Sequence, residues 1–276
     1  WEDIPRQLSE YAPVFISSDG ASVVTTDGSN PAATQTLLWQ RSTGWQVLPS
    51  MFSSSVAYAV SRDFKSILGG GGAASGPFDL WVRAIGGTEN VLPSSPARFT
   101  QRVTAVSNDG NTVLGSYVPG GEVFSPTIAL RWDDGGEPTA MHNPDGDTLA
   151  EGTACDADCG IIFGDGLYIP DNSPKPHSKE PWFTKGDNGF EYLGTISDAL
   201  AHGWYVVNAA TSDCTLAAGS YVVGDPVYGQ AVRAYSWTQA TGIVSVRSPV
   251  AELGIGDDDW SSQSVANIAA DGEKTL

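Results

Sequence analysis

The feature that most constrains this chain is a short phrase that returns six times. It runs apolar or small, Ser or a small substitute, any residue, Asp, and then most often Gly or Cys. It reads Ile16-Ser17-Ser18-Asp19-Gly20, Val60-Ser61-Arg62-Asp63-Phe64 and Val106-Ser107-Asn108-Asp109-Gly110. It returns as Cys155-Asp156-Ala157-Asp158-Cys159, Ala210-Thr211-Ser212-Asp213-Cys214 and Ile268-Ala269-Ala270-Asp271-Gly272. Successive aspartates lie 44, 46, 49, 55 and 58 residues apart. Periods in this range are those of blade-type repeats, in which one small unit cannot bury its own apolar face and must stack on its neighbours.

Each phrase continues alike. An apolar or small residue stands four after the Asp, at Val23, Ile67, Val113, Ile162 and Ala217. Gly stands six after it at Gly69, Gly115, Gly164 and Gly219, with Thr25 the exception. A Trp follows at a nearly fixed distance, at Trp39, Trp81, Trp132, Trp182 and Trp237, then a Gly-containing turn and a short apolar run. Asp-Gly between β-prone runs suits a two-residue hairpin turn, because both residues tolerate positive φ. The Trp run and the closing run make a second hairpin. Four short strands per unit, stacked about an axis, leave only short edges.

The expected fold is therefore all-β: a β-propeller of six four-stranded blades in a single domain, 1–276. Its repeats lie near 11–50, 55–95, 102–142, 152–194 and 205–248. The sixth joins 264–276 to 1–10, so that both chain ends close one blade. The alternative is that the chain is cut from a longer repeat array. The pattern resembles the HAF repeat family, bacterial proteins that are often extracellular. The resemblance rests on Ala-Val-Ser-x-Asp-Gly-x-x-Val-x-Gly, fullest at Ala105 to Gly115, followed by a Trp strand. Phe64, Cys159 and Cys214 in place of the turn glycine depart from it, as does Thr25. It implies repeated β units in a propeller and an extracellular or cell-surface address, and no settled activity. An Asp-box of the sialidase kind is excluded, since that motif places Gly two residues after Asp.

A net charge of −18 repels nucleic-acid phosphate and anionic lipid, so neither is an expected partner. No apolar run approaches the roughly 20 residues of a spanning helix. A secretory leader is not evident, which fits a mature chain or a fragment. The expected partners are a surface glycan, a protein, or a second copy of the chain.

The repeated aspartates Asp19, Asp63, Asp109, Asp158, Asp213 and Asp271 read as turn residues that bond nearby backbone N–H groups. Six equivalent carboxylates cannot all serve one reaction. The repeated tryptophans read as packing between blades. Binding candidates are residues that break the repeat. Tyr168 lies in the Pro-rich insert Asp165 to Pro181, and Asp257, Asp258, Asp259 and Trp260 lie in a second insert. Three adjacent carboxylates suit a calcium ion, the one cofactor considered, although the spacing matches no EF-hand loop. Asn143-Pro144-Asp145-Gly146-Asp147 is a weaker oxygen cluster. Gly69 to Gly72 lacks the Lys-Ser/Thr of a phosphate loop and reads as a flexible strand exit.

No nucleophile elbow or His-Glu-x-x-His motif occurs, and no catalytic residue is assigned. Two functions follow: a non-catalytic extracellular binding or assembly module, or a polysaccharide-acting enzyme with carboxylates from different blades.

Three cysteines remain. A bridge between Cys155 and Cys159 would pin a turn that lacks its glycine. Alternatively Cys159 meets Cys214, its equivalent in the next repeat, or all three are small buried thiols. The first is expected, with Cys214 free. Peptide mass mapping without reduction checks it: one linked fragment should join Cys155 to Cys159 and leave Cys214 alkylatable only after unfolding.

Overall fold

A computed structural model describes residues 13–28, 33–72, 78–93, 102–118, 127–166, 181–185, 189–196, 205–211, 213–225 and 229–246. Among them every regular element is a strand, as expected. The first sheet is β1 (Phe15–Ile16), β2 (Ser22–Asp27), β3 (Gln35–Gln40) and β4 (Gly44–Val47). The second is β5 (Ser54–Val60), β6 (Ser66–Gly72), β7 (Phe78–Ala84) and β8 (Asn90–Val91). The third is β9 (Arg102–Val106), β10 (Thr112–Tyr117), β11 (Ile128–Asp133) and β12 (Thr139–Ala140). The fourth is β13 (Gly152–Cys155), β14 (Ile161–Asp165), β15 (Pro181–Lys185) and β16 (Gly189–Tyr192). The fifth is β17 (Tyr205–Ala210), β18 (Leu216–Asp225), β19 (Gly229–Thr238) and β20 (Gly242–Ser245). Each is a meander whose strands pair in chain order. The sixth repeat, 264–276 with 1–10, lies outside the described residues. No helix among the described residues is long and apolar enough to cross a membrane.

The chain falls into two compact units. One is drawn from Trp1–Leu114 with Arg131–Thr139, the other from Gly115–Leu130 with Ala140–Leu276. In the first, Val24 and Leu38 of the first sheet pack against Ala57, Ile67 and Trp81 of the second. A buried ion pair fastens the connection between these sheets. Arg83 donates to the carbonyls of Pro49 and Gly87, both at 2.6 Å, and its Nη1 lies 4.0 Å from Glu89. Glu89 in turn accepts from Met51 N–H at 2.8 Å and from the Ser50 hydroxyl. In the second unit, Phe163 of β14 packs with Tyr205, Ala217, Tyr235 and Trp237 of the fifth sheet.

The turn after each first strand is wider than a two-residue hairpin. Ser17 N–H donates to Ser22 C=O, and Gly20 N–H donates to Ser17 C=O, so four residues make the loop. The cause is the serine two residues before the Asp. Its hydroxyl takes the Ser22 N–H at 2.8 Å, a bond that a two-residue loop has no room for. The residue after the Asp is left-handed: φ is +64° at Gly20 and +77° at Gly110. Phe64, Cys159 and Cys214 adopt the same conformation, at +60°, +54° and +55°. A side chain there costs roughly 1–2 kcal/mol relative to Gly.

In the second, fourth and fifth sheets the glycine six after the Asp makes room for a ring on the neighbouring strand. Gly69 pairs with Trp81, Gly164 with Trp182, and Gly219 with Tyr235. A Cβ at any of the three would collide with that ring and with a carbonyl of the preceding strand. The first sheet shows why Thr25 is tolerated: its partner is Leu37, not an aromatic residue. The tryptophans are therefore not all equivalent, although their spacing from the Asp looks uniform. Trp81 and Trp182 face the glycine, whereas Trp39 and Trp237 pair with Val23 and Ala217, two residues nearer the Asp. The run Gly69 to Gly72 is likewise no flexible exit. It lies in the buried strand β6, where the rings of Trp81 and Phe52 occupy the space that side chains would need.

These two kinds of glycine should respond differently to alanine. Gly20→Ala meets no atom within 4 Å and should cost about 1–2 kcal/mol through backbone conformation alone. Gly164→Ala forces a buried ring and a strand apart and should cost about 3 kcal/mol or more. Denaturant unfolding of the two variants checks the difference.

Candidate functional site

In every described repeat the phrase Asp closes its own turn. Asp19 accepts from the Ser17 hydroxyl at 2.7 Å and from Ala21 N–H at 2.9 Å. Asp63 accepts from Ser61 at 2.8 Å and Lys65 N–H at 3.1 Å, and Asp109 from Ser107 at 2.6 Å and Asn111 N–H at 3.0 Å. Asp213 accepts from Thr211 at 2.8 Å and from the N–H and hydroxyl of Thr215. These bonds favour the ionised form. Backbone and side-chain donors hold Asp19 below the usual carboxylate range, the Thr211 hydroxyl leads for Asp213, and the Ser107 hydroxyl leads for Asp109. For Asp63 burial works upward, yet the bonds from Lys65 and Ser61 prevail and its pKa still falls below the usual carboxylate range.

The fourth repeat differs. Asp156 stands where the others have Ser or Thr, and its carboxylate accepts from Ile161 N–H at 2.9 Å, while Asp158 accepts from Gly160 N–H at 3.0 Å. A carboxylate cannot donate to its neighbour as a hydroxyl does. Burial, followed by the charge of Asp158, therefore raises Asp156 above the usual range. The same turn carries the expected disulfide, Cys155–Cys159, with Cα atoms 4.9 Å apart. Cys214 is buried and takes no part in that bridge.

Of the binding candidates, Tyr168, Asp257, Asp258, Asp259 and Trp260 lie outside the described residues, as does Asp271. In the Asn143–Asp147 cluster the Asn143 side-chain oxygen accepts Asp147 N–H at 2.8 Å, so this group serves its turn.

The structure adds a site that sequence reading missed. A groove of about 840 Å³ lies between the fourth and fifth sheets. Its wall on the fourth sheet is Phe183 and Lys185 of β15 with Phe190 and Glu191 of β16. Its wall on the fifth is the Asp213 turn with Trp237 and Gln239 at the end of β19 and beyond. Phe183 and Phe190 are half-buried, whereas Lys185, Glu191, Thr215 and Gln239 are exposed. Trp237 supports the floor: its ring centroid lies 5.2 Å from that of Phe183 and 5.6 Å from that of Phe163. Alternation along β15 and β16 was legible as strand pattern. Which faces meet the next repeat depends on the stacking of two sheets, and no local signal carries that.

No family model matches the chain, and no curated protein matches it. Solved structures do match. A putative TolB from Agrobacterium tumefaciens aligns at 12% identity with a TM-score of 0.53, over 85% of this chain and 79% of that one. TolB from Acinetobacter baumannii aligns at 15% identity with a TM-score of 0.53, over 87% of this chain and 56% of its own length. The β-propeller domain of the Trilobed protease from Pyrococcus furiosus aligns at 14% identity with a TM-score of 0.54, over 86% and 71%. At such identities the likeness is one of fold. The chain has the β-propeller fold, with five four-stranded sheets among the described residues.

The acidic pair of the fourth turn makes a testable case. The Asp156 carboxyl has its pKa raised above the usual range, so folding takes up a proton there, and stability falls as pH rises through the folded value. Asp156→Ser restores the hydroxyl of the other repeats. It should stabilise the protein at pH 7 by roughly 1 kcal/mol, and the gain should shrink near pH 4, where Asp156 is protonated and can donate to Asp158. Thermal melts of both proteins across this range check it.

Proposed function

We propose that this chain is a non-catalytic β-propeller that works by binding, displayed outside the cell, and that its groove between the fourth and fifth sheets takes a surface glycan. The observation that carries the reading is the make-up of this groove. Half-buried Phe183 offers an apolar face of the kind on which sugar rings stack, and Lys185, Thr215 and Gln239 offer hydrogen-bonding groups beside it. Recognition sites commonly combine an apolar surface with a few placed polar groups in this way.

A polysaccharide-cleaving reading would draw on Glu191 and Asp213, carboxylates from neighbouring sheets in one groove. Glycoside hydrolysis needs one carboxyl that arrives protonated. Asp213 is unsuited to that part, because its hydroxyl and N–H donors hold it ionised. Its remaining role is to shape the turn that walls the groove.

The extracellular address draws support from the Cys155–Cys159 disulfide, since such bonds persist in oxidising compartments. The resemblance of the repeat phrase to that of the HAF repeat proteins supports the same address. The inserts bearing Tyr168 and Asp257-Asp258-Asp259-Trp260 remain proposed ligand contacts, the three carboxylates with calcium.

A glycan array of neutral and acidic oligosaccharides, followed by calorimetry on any hit, tests the proposal. Binding to neutral sugars is expected, weakened about tenfold by Phe183→Ala or Gln239→Ala, which corresponds to a loss of about 1.4 kcal/mol. A blank array, or release of shortened products from the sugars, would overturn it.

A further inference from the structure

A cross-sheet hydrogen bond recurs at one place in the repeat. Between the first and second sheets, Thr26 Oγ1 accepts Ala57 N–H at 3.2 Å. Between the fourth and fifth, Asp165 Oδ1 accepts Val207 N–H at 2.8 Å. Thr26 and Asp165 each stand seven residues after their phrase Asp, and Ala57 and Val207 each stand six before the next. Both amides directly precede a β-bulge, at Tyr58 and at Asn208. The bond is thus a repeated link between sheets, and it needs only one acceptor oxygen. A neutral hydroxyl suffices at the first junction. An ionisable carboxyl stands in its place at the fourth.

The surroundings of that carboxyl are poor in donors. Tyr235, on β19, is fully buried, and its hydroxyl has no hydrogen-bond partner among the described residues. Glu151, just before β13, is the charged group facing Asp165, and Asp165 N–H also donates to the Glu151 carbonyl. Tyr205 on β17 stands beside Tyr235, with ring centroids 5.9 Å apart. On β15 the residue paired with Asp165 is Pro181, which offers no N–H and no charge.

We propose that Asp165 is a proton-binding site that ties the junction of the fourth and fifth sheets to pH, taking up a proton from solvent as the pH falls and so stabilising that junction. A protonated carboxyl still accepts the Val207 N–H through one oxygen, and its other oxygen becomes a donor in a place that holds a buried, unpartnered hydroxyl. An ionised carboxyl leaves an uncompensated charge against Tyr235 and Glu151. The electrostatics agree with this geometry. Burial is the largest influence and lifts Asp165 well above the ordinary carboxylate range; the Val207 N–H opposes it, and Glu151 adds to it. Tyr235 is itself pushed up, by burial and then by Asp165 and Tyr205.

The sign is opposite to that of the turn aspartates. Asp19, Asp63, Asp109 and Asp213 are held low, and their stabilising effect is complete above about pH 4, the ordinary carboxylate range. A group held high stabilises fully below that range and loses its effect as pH rises through its folded value. Between about pH 4.5 and 8.5 the raised groups, Asp165 and Asp156, therefore set the trend.

Two measurements test the proposal. The side-chain carboxyl of Asp165 is followed by carbon-13 NMR in the unmodified protein. A midpoint at least one pH unit above that of an ordinary aspartate is expected, and a midpoint at or below about 4 would overturn the proposal. Melting temperatures are then recorded from pH 4.5 to 8.5 for the parent, Asp165→Asn, Asp165→Thr and the control Asp156→Ser. The parent should lose about 3–5 °C for each pH unit by which the Asp165 midpoint exceeds the ordinary one. Asp165→Thr, which copies Thr26, and Asp165→Asn should remove most of that slope, while Asp156→Ser should remove only the smaller share that Asp156 contributes. A slope unchanged by either Asp165 substitution and abolished by Asp156→Ser would assign the effect to the turn and overturn the proposal.

Discussion

The rest of this structure depends on how one carboxylate closes one turn. A hairpin whose first strand has only two to seven residues has few backbone bonds to hold its register, so it needs its loop defined. The phrase Asp supplies that definition by accepting a hydroxyl from two residues before it and an N–H from two residues after. The hydroxyl residue then accepts an N–H on the far side of the loop. Three local bonds fix a four-residue loop, and the next strand leaves it at a set angle. The exposed position of most of these carboxylates limits what each bond contributes to stability, but not what it does to geometry.

Once the turn is set, packing is decided by a complementarity between strands two and three of each sheet. A missing side chain on one strand receives a ring from the next. Gly69 and Trp81, Gly164 and Trp182, and Gly219 and Tyr235 are three solutions to the same space-filling problem. The first sheet solves it with Thr25 and Leu37 instead. Ring and glycine change together, so the Thr in that repeat is a repacking and not a defect.

The fourth repeat collects the electrostatic exceptions. Asp156 replaces a hydroxyl residue, Cys159 replaces a glycine and is tied to Cys155, and Asp165 takes the place of a neutral acceptor. The groove opens along the same sheet, against the Asp213 turn.

How much of this was legible in the chain follows from the range of each interaction. The strand order, the turn aspartates and the Cys155–Cys159 pair act within a few residues, and the repeating phrase displays them. The width of the turn was misread, because the role of Ser17 and its equivalents shows only when its hydroxyl is seen to bond across the loop. Trp182 and Trp237 both stand 24 residues after their Asp, yet occupy different registers, since the chain from the second-strand glycine to its partner on the third strand is two residues longer in the fourth sheet than in the fifth. Gly70 to Gly72 carry no local signal that distinguishes a flexible run from a buried strand; the ring of Phe52 decides it. By itself the sequence determined a β-propeller and the residues that close its hairpins, because those contacts are local and repeated. The tertiary structure alone decided where the groove lies and which carboxyl is deprived of solvent. Phe183, Asp165 and Tyr235 acquire their chemistry from the neighbouring sheet, more than 20 residues away along the chain.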